Sequence, residues 1–160
     1  MHRNQKGARK RQQQLRLWTL AEARAATPYL TSVLRSLREH HVEAQCQNRT
    51  ARRLGERPGR LDRTDRIQQE EAARAAGRSQ DRFQQALDEL QALDIYCLDP
   101  LQGLALIPFG HDDQLAWFVF DLFDPEPLRS WRYHNDPLET RRLLSDLRES
   151  KSAEENTWLA

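Results

Sequence analysis

The sequence predicts an α+β protein: a long antiparallel helical hairpin packed on a small antiparallel β-meander of three to four strands, with a short C-terminal helix. Three observations predict it. Apolar residues recur at helical spacing through residues 30–51 and again through 67–90. Between those runs, Gly55-Glu56-Arg57-Pro58-Gly59-Arg60 carries three chain breakers in six positions. Beyond Leu93 the period changes from about 3.6 to about 2, the signature of strands.

Residues 1–16 hold Arg3, Lys6, Arg9, Lys10, Arg11 and Arg16 and no acid. With almost no large apolar side chain they cannot offset the entropy of ordering, and a disordered basic tail is expected. The single domain then runs over 17–150, with the hairpin at 19–94, the meander at 95–135 and the short helix at 137–150; residues 151–160 form a C-terminal tail. Thr19-Leu20-Ala21-Glu22 starts a helix as a capping box: the hydroxyl accepts from the Glu22 amide while the carboxylate reaches back to the Thr19 amide. Thr27-Pro28 restarts it, with Thr as the cap, so a short first helix meets a longer one at a kink.

In the longer helix Leu30, Leu34, Leu37, His41, Ala44, Asn48 and Ala51 alternate steps of four and three, a coiled-coil-like seam that begins oily and turns polar. The returning helix, 62–93, carries Ile67, Ala72, Ala76, Phe83, Leu87 and Leu90. Leu30 to Leu37 should therefore pack on Phe83 to Leu90, leaving an arginine-rich tip in solvent. Strands are expected at 95–98, 104–107, 115–123 and 128–134, joined by short turns. The strongest, 115–123, is apolar on both faces, with Trp117 and Val119 on one and Phe118, Phe120 and Leu122 on the other. A two-faced strand suggests a second cover, and a homodimer is one way to supply it.

Composition narrows the function classes. Of 160 residues 38% are apolar and 31% charged, and no stretch approaches the roughly 18 apolar residues of a membrane span. The basic N-terminus lacks an apolar h-region, so neither membrane insertion nor secretion is expected. Two cysteines, Cys46 and Cys97, have neither the number nor the spacing of a disulfide framework or zinc site, which fits a cytoplasmic location. Net charge is +1, yet residues 1–80 carry 18 Lys and Arg against 8 Asp and Glu, and residues 81–160 carry 7 against 16. Such polarity fits nucleic-acid contact, a partner surface, or attraction between the two halves of the chain.

Trp18-Thr19-Leu20-Ala21-Glu22-Ala23, Pro28, the paired helices, the Asp99-x-x-x-Gly103-Leu104 turn and Pro108-Phe109 together resemble the uncharacterised bacterial family known as domain of unknown function 2203. Trp131 with nearby His134 is similar to that family's aromatic-histidine element, and Arg141-Arg142 to its closing arginine. Where the family usually shows Cys-Trp followed by Gly-Glu, this chain reads Trp117-Phe118-Val119-Phe120-Asp121. Tyr133 also stands beside His134 in place of the usual Trp. The resemblance implies the fold and no established activity.

Three sets of residues are candidates for chemistry. His111, Asp112 and Asp113 lie in a turn expected at the same sheet edge as His134 and Asp136, and imidazole with carboxylates suits a divalent metal and hydrolysis. Turn residues bonding local backbone would read the same way. Arg9, Lys10, Arg11, Arg52 and Arg53 are candidates for nonspecific nucleic-acid binding; the tail has no aromatic residue for base stacking. Asp121 interrupts an apolar strand, and pairing Phe123 with Leu128 would set it diagonal to Arg132 as a structural ion pair. No phosphate loop, nucleophile elbow, zinc helix or dinucleotide fingerprint occurs, and no cofactor is expected. The chain reads as a non-enzymatic interaction or scaffold module with an unknown protein partner; the alternatives are a nucleic-acid binder and a metal-dependent hydrolase.

Overall fold

The computed structural model describes residues 14–147. Three helices, α1 (Leu20–Ala25), α2 (Thr27–Gly55) and α3 (Arg63–Ala92), precede five strands, β1 (Tyr96–Asp99), β2 (Leu104–His111), β3 (Gln114–Asp121), β4 (Leu128–Tyr133) and β5 (Arg142–Leu143). The sheet order β1-β2-β3-β4-β5 makes every neighbour antiparallel and sequential, a meander with one strand more than expected.

The capping box forms at Thr19 and Glu22 as the sequence requires. The restart differs: the cap position is Ala26, which makes no side-chain cap, and the Thr27 hydroxyl bonds back to the Ala23 carbonyl at 3.3 Å. Pro28 sits in the first turn of α2, where its missing N–H costs nothing. Asp62 caps α3 by accepting from the Asp65 amide at 2.7 Å.

The base of the hairpin is oily, as its leucines dictate. Leu30, Leu34, Leu37 and Leu90 are fully buried, and Phe83 and Leu87 pack against the same cluster. Into this cluster the sheet presents one face, Ala105, Ile107, Phe109, Ala116, Phe118, Phe120 and Trp131, with Phe109 stacked on Phe118 at 3.9 Å between ring centroids. Farther out, Ala44, Leu54, Ala72 and Ala76 are buried outside that cluster, in the seam between α2 and α3. Two expected seam residues face water: Asn48 and Ile67 are exposed, while Ser79 and Ala86 take buried places. A narrow seam of small residues lets two helices approach closely, which the larger Ile67 does not fit.

Strand β2 runs through Pro108 to His111, four residues beyond its expected end. Proline belongs in a strand only where its absent N–H faces away from a ladder. Pro108 meets that condition because its carbonyl points to the outer edge, past the end of β1, and accepts from the Trp18 amide at 2.8 Å. The Trp18 indole donates to the Leu93 carbonyl at 3.1 Å, and the Arg16 amide donates to Asp94 at 2.7 Å. Arg16, expected in the tail, is thereby fastened to the domain.

Two further expectations are corrected. The segment 137–143 is not helical; a helical turn begins only at Leu144, which is buried, while Leu138 and Leu143 are 57% and 50% exposed. The leucine spacing imitates a helix, but Arg142 and Leu143 pair instead with Trp131 and Ser130 as β5. The β3–β4 ladder sets Phe120, not Phe123, opposite Leu128, and β4 carries a bulge at Arg129 between that pair and Val119–Ser130. On the face away from the helices, the row Tyr96, Leu106, Val119, Ser130, Leu143 has a buried centre, with Leu106 at 4% and Val119 at 1% exposure within one chain.

Candidate functional site

The β2–β3 turn is a two-residue loop, Asp112-Asp113, with φ of 49° and 57°, between the paired residues His111 and Gln114. Two positive φ values mark the hairpin turn that matches strand twist, and aspartate tolerates the left-handed region better than most side chains. This turn fixes the parity of the sheet. His111 shares the core face with Phe109, and its ring lies 5.2 Å from Trp131 and 5.9 Å from Tyr133. Its Nε2 is 3.3 Å from Asp112, which also accepts a 3.4 Å hydrogen bond from the Tyr133 hydroxyl.

His134 stands on the other face. Its Nδ1 accepts from the Trp117 indole at 3.1 Å, which leaves the ring proton on Nε2. Asp136 is occupied by Arg142 through two bonds of 2.9 and 3.0 Å and by the Tyr133 amide at 2.9 Å. The expected five-residue metal cluster therefore does not assemble: His111 keeps Asp112, while His134 and Asp136 have other partners. Among the described residues no three His, Cys, Asp or Glu side chains converge as metal ligands. The residues sequence reasoning missed here, Trp117, Tyr133 and Arg142, are strand partners that only the register could reveal.

The bidentate Arg142 contact, reinforced by the Tyr133 amide, holds the Asp136 carboxyl at about 2, below its ordinary 3.8. A carboxylate whose folded value is depressed contributes stability that is full above its unfolded value and lost as pH falls through the folded one. The pair should thus weaken between about pH 4 and about pH 2, unfastening β5. In urea unfolding across that range, Asp136→Asn should flatten the acid limb; an unchanged slope would show that the pair does not hold β5.

The expected Asp121–Arg132 pair is absent because the β3–β4 ladder ends at Phe120 and Leu128, so the turn takes more residues than expected and slides Arg132 away from Asp121. Arg132 lies opposite Trp117, is 4% exposed, and donates to the carbonyls of His134 and Asp136. Asp121 instead accepts from the Phe123 amide at 3.0 Å. Near it, Val119, Asp124, Arg129 and Arg141 bound a hollow of about 190 Å³, below the roughly 300–1,000 Å³ of small-molecule sites. Burial, with Asp99 nearby, pushes the Cys97 thiol up to about 11, far from a thiolate nucleophile at neutral pH.

The hairpin tip is the strongest electrostatic feature. Residues 45–66 contain seven arginines against Glu56, Asp62 and Asp65. Arg52 and Arg53 are exposed in the last turn of α2; Arg9, Lys10 and Arg11 lie outside the described residues. The ion pairs among the described residues are Arg16–Glu22, Arg57–Asp65, Asp124–Arg129 and Asp136–Arg142, beside the His111–Asp112 contact. Each is local in sequence, and none joins the basic half of the chain to the acidic half. Attraction between the halves, one reading of the charge polarity, is therefore not realised as an ion pair among the described residues.

No helix among the described residues is long and apolar enough to cross a membrane. No curated protein and no solved structure matches the chain. Residues 16–144 match the family described as uncharacterized conserved protein DUF2203, a span running from the Arg16–Trp18 clasp through β5. The chain thus belongs to that uncharacterised family, DUF2203.

Proposed function

We propose that the protein is a non-enzymatic interaction module in which the sheet anchors and the distal hairpin is the binding arm. One observation carries this reading. The last α2 residue hydrogen-bonded to the sheet segment is Arg38, which donates to the Leu101 carbonyl at 2.9 Å, yet α2 continues to Gly55. At about 1.5 Å per residue, some 25 Å of paired helix extends past that bond. Its buried side chains, Ala44, Leu54, Ala72 and Ala76, lie outside the main core cluster, so the core does not require this length. A projecting rod with a polar exterior is a surface for another molecule.

The arm can be tested by shortening. A variant with residues 45–73 replaced by a tight turn should keep the sheet and its thermal transition, because the core cluster is untouched. Affinity purification from the native cell, with and without nuclease, should then recover partners with the full chain and lose them with the short one. Equal recovery by both proteins would place binding elsewhere and end the reading.

A further inference from the structure

We infer that the outer face of α2 near the tip binds the phosphate backbone of double-stranded nucleic acid without sequence preference. This rests on the arm reading and names its partner. Gln45, Asn48, Arg49, Arg52 and Arg53 follow steps of three and four, so they share one face of the helix. With Glu56 at the end, they line a hollow of about 600 Å³. Asn48, expected in the seam, stands on this outer face instead.

Three features give the face its partner. First, among the described residues no carboxylate pairs with Arg49, Arg52 or Arg53, so their charge is free for an outside anion. The negative end of the α2 dipole accounts for Arg52 and Arg53 in the last turn but not for Arg49 a turn earlier. Second, guanidinium forks flanked by Asn and Gln amides are the donors that grip phosphate oxygens. The face has no aromatic side chain, so it cannot stack unpaired bases, and a duplex suits it better than a single strand. Third, the acidic sheet does not oppose the approach. Residues 81–147 carry 5 Lys and Arg against 13 Asp and Glu. Arg49 is eleven residues, about 16 Å of helix, beyond Arg38. That is about two screening lengths at physiological salt.

Fluorescence anisotropy of the full chain with labelled mixed-sequence duplexes of DNA and of RNA, each about thirty base pairs, tests this. Three phosphate contacts at about 0.9 each in the slope of log K on log salt predict a roughly 40-fold loss of affinity between 50 and 200 mM salt from this face alone. R49A/R52A/R53A should remove that component, lowering the slope by about 2.7, with unchanged helicity by circular dichroism. Deleting residues 1–13 should leave the component in place. No binding at low salt, the same slope in the triple variant, complete loss on deleting 1–13, or binding of one duplex type alone would each overturn the inference. If the shortened arm loses partners that survive nuclease treatment, the arm reading stands and the nucleic-acid partner falls.

Discussion

Phe118→Ala lowers the free energy of unfolding by about 3–5 kcal/mol, the range for deleting a buried aromatic side chain. Phe118 is 2% exposed, stacks face to face on Phe109, and lies in β3 between Ile107 and Trp131, so three neighbours lose their contact at once. The cavity opens where the sheet meets the helices and cannot collapse without moving one layer against the other. Urea unfolding followed by tryptophan fluorescence measures the effect. A loss under about 1 kcal/mol would mean that the helices do not cover this face.

Gly103→Ala comes next in size, for two separable reasons. Gly103 has φ of +64°, and a Cβ there would sit 2.6 Å from the Leu122 Cβ. The left-handed backbone costs a side chain about 1–2 kcal/mol, and the clash adds about 1–3 kcal/mol of overpacking. Gly59 is the control: its φ is +91° and nothing lies within 4 Å of its would-be Cβ. Thermal unfolding of both variants should show Gly103→Ala the more destabilised. Equal losses would show that the β3–β4 turn, whose Leu122 amide donates to the Gly103 carbonyl at 3.0 Å, yields freely.

What the sequence made legible was whatever a local period controls. The helices, the breaker-rich tip and the meander follow from spacing and turn chemistry, and the contact of Leu30, Leu34 and Leu37 with Phe83, Leu87 and Leu90 follows from which end of each helix is oily. What stayed hidden depends on registers that no local pattern encodes. The β3–β4 ladder closes at Phe120 and Leu128 rather than at Phe123 and Leu128, which left Asp121 far along it from Arg132. Parity separated His111 from His134, since a histidine beside Phe109 and one beside Trp117 point to opposite sides of the sheet. Leu138 and Leu143 imitated the start of a helix that begins only at Leu144, whereas the Asp136–Arg142 contact draws 142–143 into the sheet.

The candidate site followed the same division. The arginines of the tip were visible as composition, but their lack of partners could be read only from geometry. The metal cluster was assembled from turn sequences, but His134 is held by Trp117 and Asp136 by Arg142, and His111 keeps only Asp112 of the expected set.

The Trp18 clasp carries a consequence for how the chain finds its shape. Each strand meets the one just before it in sequence, and the two long helices are joined by a short turn, so these pieces assemble by closing small loops. Trp18, by contrast, reaches a carbonyl 75 positions away at Leu93 and a strand edge farther still at Pro108. Its entropy of closure is repaid only after helix and sheet already stand together, which makes this bolt the natural last step of assembly and the first to slide open.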